Sequence, residues 1–540
     1  MAAVLDSSQP GEDRADKVTP RIVAAIDIGS NSVRMAVAQV LPDGRIDILE
    51  RMRRPVRLGQ DTFLRERLSQ RTMLAAIAIL RDYRRVLDAY RVSQVRAVAT
   101  SAVREAENAD SFLDRILMTT NLEVEMIESA EESRLTVNAV LHALGNAADV
   151  RRGTGLIVEV GGGSSLLTLL RDGEIAASGA YALGSIRLQE ILATGQEPPD
   201  RAADLLRHHI GTTMAAILTA LPLGEVEHFV AVGGDARFTA GQIGKQLDSG
   251  DLVAVGVRAF DRLAERCAGH TSAELARMYG LPFADAETLA PALLTYQALL
   301  HATRAKSMLV STVSMREGLL LDLTHVIKAE EILVLRNNVV HSARSVGEKY
   351  HYDAKHASHV AELSGQLFDA MRPDHHLSDR ERLILEVAAV LHDVGTYVSA
   401  TSHHKHAAYL IANSEIFGLR RTELQMAAQI ARYHRRSPPK RTHVEYMSLP
   451  REKRMLVSKL SAILRVADAL DRGHSQQVRE LRFDKNATEL TIYVPGLADL
   501  TLERRAMAAK GDLFEDVYGL RVRLEEADPA SFDPRRGEPA

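Results

Sequence analysis

The 540-residue chain has no tryptophan, a single cysteine (Cys267) and only 4% aromatic residues. One cysteine excludes an intrachain disulfide framework and any metal cluster built on several thiolates, and such usage fits a reducing compartment. Long apolar runs are also missing. The nearest candidate, Leu289 to Leu300, is interrupted by Thr295 and Gln297 and falls short of the roughly 18 consecutive apolar residues of a membrane span. Charge of one sign is scarce too: 67 Lys+Arg stand against 71 Asp+Glu, for a net charge of -4. A polyanion would therefore have to be held by a local basic lining. The polar, acid-bearing stretch Met1 to Lys17 lacks the basic start and apolar run of a signal peptide and is expected to be a disordered tail. These absences predict a cytoplasmic protein that binds neither nucleic acid nor membrane.

What is present is a folded composition, 46% hydrophobic and 26% charged, at a length too great for one core. Arg21 to Asp27 is a strand candidate, followed by the punctuation Gly29-Ser30-Asn31-Ser32 and a second apolar run from Val33 to Val40. The same device recurs at Gly155 to Val160, Gly161-Gly162-Gly163-Ser164 and Ser165 to Leu170. Asp27 and Glu159 occupy the same place in the two units, two residues before the first glycine, and this self-similarity predicts duplicated lobes. From Val326 the pattern becomes helical, with amphipathic segments at Glu331–Val346, Asp353–Met371, Ser378–Leu391, Lys405–Asn413, Glu423–Tyr433 and Glu452–Leu470. Alternating strands then return between Val478 and Leu524, with one helix near Arg504–Ala509.

A glycine turn between strands, entered from an acid, can offer backbone N–H groups to a phosphate while the carboxylate holds a divalent cation through water. A single turn of this kind is equally well an ordinary tight hairpin; the pair argues for phosphate. Hydrolysis also needs a group to orient or deprotonate water and a cation near the transferred phosphoryl group. Glu131 is a candidate base, although Ser129 and Glu132 also have the spacing of a capping box. Arg104, after a strand ending at Ala99, is a candidate phosphate clamp, with an ion pair to Glu105 as its plainer role.

Taken in order, the Asp27-Ile-Gly-Ser-Asn-Ser opening, Arg57-Leu58-Gly59, Thr100 to Ala106, the Glu131-Glu132 pair, the Gly161 triplet, Leu183 to Leu188 and Gly233-Gly234 resemble the exopolyphosphatase and guanosine pentaphosphate phosphohydrolase family. The resemblance implies a multidomain α/β protein. Two actin-like (ribonuclease H-like) lobes of the acetate kinase, sugar kinase and actin type would occupy 20–145 and 146–325, an all-α HD-like domain 326–476 and a small α+β domain 477–528, with tails at 1–19 and 529–540. It implies release of terminal phosphate from inorganic polyphosphate or guanosine pentaphosphate, with magnesium or manganese, by a homodimer. Position by position it makes Glu131 the water-activating residue, Arg104 a phosphate ligand, and Asp27 and Glu159 the cleft acids. Gly29, Ser30, Asn31, Ser32, Gly161, Gly162, Gly163, Ser164 and Ser165 become phosphate-contacting turns. Two departures stand out: Glu159 replaces the usual aspartate, and Leu166 replaces a glutamate expected beside the cation.

In the helical part, His356, the His392-Asp393 pair, His434 and Asp468 resemble an HD-type phosphohydrolase. Imidazole and carboxylate suit zinc, manganese or iron. This implies a second metal on His356, His392, Asp393 and Asp468, with His406 and His434 as ligands of a further ion. Two other readings remain open, a purely solvated face and a basic guide for a polyanion along Arg432, Arg435, Arg436, Lys440 and Arg441. In the second of these Arg435 contacts substrate.

Overall fold

The computed structural model describes residues 21–41, 44–144, 152–247, 252–324, 329–495 and 499–527. The expected tails and the expected boundaries at 145/146 and 325/326 lie outside the described residues. Contacts group the chain into two compact units, Met1–Met126 with Met315–Ile327, and Ile127–Ser314 with Lys328–Ala540.

The first unit is built on β1 (Arg21–Ile28), β2 (Ser32–Val40), β3 (Ile46–Pro55), β4 (Gln94–Ala99) and β5 (Val124–Met126). They form one sheet in the order β3-β2-β1-β4-β5, with β1 to β3 an antiparallel meander and β4 and β5 parallel to β1. Val23 to Ile28 of the central strand are buried, because a strand covered on both faces reads as a continuous apolar run. The Met315–Thr324 helix returns from far along the sequence to pack on β1, held by Arg96 to Asp322 (2.6 Å) and Arg21 to the Thr324 carbonyl (3.1 Å).

The second unit carries β6 (Thr154–Val160), β7 (Ser165–Arg171), β8 (Glu174–Tyr181), β9 (His228–Val232), β10 (Lys245–Gln246), β11 (Leu252–Gly256) and β12 (Ser307–Ser311). Their order is β10-β11-β12-β9-β6-β7-β8. Within it β8-β7-β6-β9-β12 repeats β3-β2-β1-β4-β5 in both order and sense, so the duplicated lobes expected from the two glycine turns are present. One assignment differs. The Ser129–Leu144 helix, expected to close the first lobe, packs on β7 and β8 of the second, where Val137 and Val140 meet Ile157, Leu170 and Ile175.

The helical part begins with Ala329–Lys349, which lies along the edge strand β8: the Ile175 N–H donates to Asn338 Oδ1 (3.3 Å) and Ser345 Oγ to the Ala176 carbonyl (3.1 Å). An edge strand covered in this way cannot template pairing with another chain. Helices Ala354–Ala370, Asp379–Leu391, His403–Ala412, Arg421–Arg432 and Arg451–Leu470 follow within a few residues of their expected spans. The C-terminal strands β13 (Arg482–Lys485), β14 (Glu489–Pro495) and β15 (Arg521–Ala527) form a three-stranded sheet with helices Thr501–Lys510 and Asp512–Tyr518. The second of these helices was not foreseen. Leu490, Ile492 and Phe514 of this α+β segment share one core with Leu460 and Leu464, so packing shows no boundary at 476/477. The cause is the Arg451–Leu470 helix, buried at every position from Leu460 onward because elements pack all around it. Among the described residues no helix is long and apolar enough to cross a membrane.

Candidate functional site

In the first unit the turn after β1 closes with the Gly29 N–H donating to the Ser32 carbonyl at 3.1 Å. Its other carbonyls are tied down by the segment that follows β3: Gly59 N–H reaches Ser30 O (2.9 Å) and Val56 N–H reaches Asn31 O (3.0 Å). Ser30 Oγ lies 3.2 Å from Ser101 Oγ, which fastens the turn to the short Ser101–Arg104 helix and places Arg104 one turn beyond it. Asp27 is buried, and burial pushes its carboxyl above the ordinary value, while Arg34 (3.8 Å away) and Arg316 pull the other way. A divalent cation would restore the charge that burial disfavours, so Asp27 fits the role of a cation-holding acid.

The second unit repeats this arrangement. Gly161 N–H donates to the Ser164 carbonyl at 2.9 Å, and the segment after β8 again takes up the turn's carbonyls, with Ser185 N–H on Gly161 O (2.9 Å) and Ile186 and Arg187 N–H on Gly162 O (3.0 Å each). Arg187 Nε adds a bond to Gly163 O at 2.5 Å. With the carbonyls engaged, the amide edge is the side on which an anion can be received. Any Cβ at Gly184 would overlap the backbone of Gly163 and Ser164, so only glycine permits this docking. The Arg57-Leu58-Gly59 and Leu183-Gly184-Ser185 blocks thus have a physical task that sequence reading did not assign: each pins a turn.

Glu131 stands in the first turn of the Ser129–Leu144 helix and is almost fully buried. Arg134 grips it in a bidentate pair, Nε to Oε2 at 2.7 Å and Nη2 to Oε1 at 2.8 Å. The two parallel bonds fix the orientation of the carboxylate. The same helix supplies Thr136, whose Oγ1 donates to Glu159 Oε2 at 2.7 Å. Leu166 is the direct cross-strand partner of Glu159 and is buried at 4% exposure, so the position where a second acid is expected is apolar. Asp27, Gly29–Ser32 and Arg104 therefore belong to the first unit, and Glu131, Glu159 and Gly161–Ser165 to the second.

The histidine cluster is also in the second unit, and it is buried rather than solvated: His356, His392 and His434 are 1%, 0% and 2% exposed. The solvated-face reading fails on this point. Three rings donate Nδ1–H to the carbonyl three residues back, His392 to Ala389 (2.7 Å), His403 to Ala400 (3.1 Å) and His434 to Ala431 (2.6 Å). His356 Nδ1 instead pairs with Asp471 Oδ2 at 2.8 Å. A carbonyl can only accept, so Nδ1 carries the proton and a neutral ring presents its Nε2 lone pair.

The Nε2 atoms converge on two carboxylates. His356 and His392 lie 3.7 and 3.9 Å from Asp468 Oδ1, and His392 3.7 Å from Asp393 Oδ2. His403 and His434 lie 3.1 and 3.5 Å from Asp393 Oδ1. Donor atoms each about 2.1 Å from a shared cation stand roughly 3–4 Å apart, so this spacing fits metal ligands. The buried Nε2 atoms of His356 and His392 have no hydrogen-bond partner, which a cation would supply. Asp471 was not foreseen as a member; of the further imidazoles the sequence offers at His403, His404 and His406, His403 falls within the ligand groups found among the described residues, whereas the expected His406, one turn further along the same helix, falls outside them. Arg435 Nη1 reaches His403 Nε2 at 3.0 Å, and Lys510 contacts Asp468 Oδ2.

Burial, followed by the neighbouring His392 imidazole, pushes His434 down to about 3, and burial with His403 and Arg435 pushes His404 down to about 4. Both are neutral when folded. The unfolded chain takes up protons on these rings as pH falls below about 6.5, so their stability contribution is complete above that value and is lost towards pH 4. Burial also disfavours charge on His356, but the Asp471 hydrogen bond and Asp468 outweigh it and raise this ring, which favours the folded state in the same window and offsets part of the loss. Thermal melts in chelator are expected to show a lower Tm at pH 5 than at pH 7, and a smaller drop in a His434→Gln variant. An unchanged or higher Tm at pH 5 would contradict this.

Residues 36–326 match the Ppx/GppA phosphatase family and residues 340–509 match Ppx/GppA phosphatase, domain III. Among solved structures, an exopolyphosphatase from Cytophaga hutchinsonii is similar at a TM-score of 0.52 and 21% identity, over 57% of this chain and 99% of that one. An exopolyphosphatase-like protein is similar at 0.50 and 22%, over 56% and 98%. At these identities the likeness is one of fold, and it agrees with the repeated strand order. The first match alone spans more than half of the sequence, and the chain belongs to the Ppx/GppA phosphatase family.

Proposed function

We propose that the chain is an exopolyphosphatase that releases orthophosphate from the end of inorganic polyphosphate. The observation that carries this reading is the duplicated turn, each with a buried or half-buried acid two residues upstream and with its carbonyls pinned by the segment after the third strand. Each turn receives phosphate through backbone N–H groups, helped by Ser30, Asn31 and Ser32 in the first unit and by Ser164 and Ser165 in the second, and Arg104 neutralises the terminal phosphoryl group. Water attacks the terminal phosphorus, its proton passes to Glu131, and the bridging P–O bond breaks so that the shortened chain leaves as an oxyanion. Magnesium or manganese, held through water by Asp27 in the first unit or by Glu159 in the second, would supply charge neutralisation on the phosphates.

Long polyphosphate is preferred over guanosine pentaphosphate because Arg435, Arg436, Lys440 and Arg441 offer a basic run suited to an extended anion, and among the described residues no element reads a guanine. Phosphate release measured side by side on the two substrates tests this; faster release from the pentaphosphate would reverse the assignment. The histidine cluster is proposed as a second cation site for zinc, manganese or iron, and the active species as a homodimer in the cytoplasm.

A second reading, a polyphosphate-binding regulator with weakened turnover, is favoured by Leu166 opposite Glu159. Leu166→Glu is expected to raise turnover about tenfold by adding a carboxylate to the cation's surroundings. It should also make Tm rise with added magnesium, since two adjacent carboxylates repel until a cation joins them. Tight polyphosphate binding without phosphate release, in magnesium or manganese, would establish the regulator instead.

A further inference from the structure

We infer that Lys510, from the C-terminal α+β segment, completes the histidine cluster as a phosphoryl-binding centre built from residues other than the two glycine turns, taking the terminal phosphate group of a monoester or anhydride. The inference rests on the reading of the cluster as a cation site. Lys510 is the last residue of its helix, and its ammonium sits on Asp468 Oδ2 while Oδ1 of the same carboxylate faces the imidazoles of His356 and His392. The lysine therefore stands where a cation's charge is wanted, at the boundary of the ligand set.

The placement is enforced by Arg465, whose side chain is fully buried. Its guanidinium donates to the carbonyls of Lys510 (2.9 Å), Arg436 (3.0 Å) and Tyr433 (3.3 Å) and to Asp512 Oδ1 (2.7 Å). One side chain thus locks together the segment bearing His434 and Arg435, the helix bearing Asp468, and the Lys510–Asp512 junction. Nothing in the packing of an apolar core calls for such a group. A frame that fixes the lysine's backbone but leaves its flexible stem free suits an ammonium that changes partner.

With a divalent cation seated among the imidazoles, the carboxylate's charge is shared and Lys510 is released to a phosphoryl oxygen bound to the same site. Arg435, 3.0 Å from His403, is placed to serve as a second anion contact on the other side of Asp393. A cation, an ammonium and a guanidinium around one cluster of carboxylates and imidazoles select a compact group of high negative charge, which a phosphate terminus provides and a neutral ligand does not.

The test titrates the full-length chain with Mn2+ and then with inorganic phosphate, taking the part of each signal lost in His392→Ala as belonging to this centre. Lys510→Met is expected to bind Mn2+ about tenfold more tightly, because a competing cation has left Asp468, and to bind phosphate at the loaded site about tenfold more weakly. Lys510→Arg should retain phosphate binding. These opposite signs separate the proposal from a structural role, in which both affinities would fall together; that result, or phosphate binding unchanged in the methionine variant, overturns it. Should Lys510→Met fail to fold, Lys510→Gln is read in the same two ways. Absence of any His392-dependent Mn2+ binding in the unsubstituted protein would overturn the cation reading itself, and the proposal with it.

Discussion

Glu131→Gln is expected to lower phosphate release from polyphosphate by about a hundred- to ten-thousand-fold, the range in which a positioned general base contributes. The amide keeps the shape of the carboxylate and loses only its charge and basicity, so the effect should appear in kcat with little change in KM. The complication is Arg134. It is 6% exposed and bound through two nitrogens to Glu131, and breaking a buried ion pair from one side costs roughly 3–5 kcal/mol. Lost stability must therefore be told apart from lost chemistry. Glu131→Gln combined with Arg134→Met replaces both halves of the pair and is expected to recover most of the stability without recovering turnover. Urea unfolding and single-turnover phosphate release on the single and double variants make the comparison. Turnover that returns with stability, or a Glu131→Gln enzyme as fast as the parent, would remove Glu131 from the mechanism.

The second large effect concerns Arg465→Met. The methionine fills a similar volume, but three backbone carbonyls and Asp512 lose their donor. Unsatisfied buried carbonyls cost about 1–3 kcal/mol each before relaxation or water entry, so a net loss of roughly 3–5 kcal/mol is expected. Because Arg465 holds Lys510 and the His434 segment in one frame, His392-dependent Mn2+ binding should weaken as well. Thermal melts and Mn2+ titration of the variant check both, and a loss below about 1 kcal/mol would mean that the guanidinium is not the fastener its contacts suggest.

The parts of this architecture that could be read from sequence are those governed by local chemistry. Strand, acid, glycine turn and strand recur as a pattern of neighbours, and the repeated strand order followed from it. Amphipathic periods located the long helices, since one face of each meets the core. What sequence could not supply depended on distant partners. The Ser129–Leu144 helix has the same pattern whichever sheet it covers, and only packing assigns it to β7 and β8. His403 and His406 are both plausible ligands on paper; the position of the helix start after Ser402, which is in the left-handed region at φ 60°, puts the first of them beside Asp393. Lys510 lies 42 positions from Asp468 and on a different helix, so no spacing rule links them. Asp471 offered a weak signal, being one helical turn beyond Asp468, and it proved to be the acid that orients His356.

The Ala329–Lys349 helix along β8 bears on how this protein tolerates shortening. A chain ending after the second lobe would leave the backbone groups of Ile175 and Ala176 without Asn338 and Ser345, and would uncover the apolar seat that receives Phe417 beside Val137 and Ile157. The exposed margin would then be free to recruit strands from other molecules. Removal of the C-terminal half is accordingly a route to self-association rather than to a minimal enzyme.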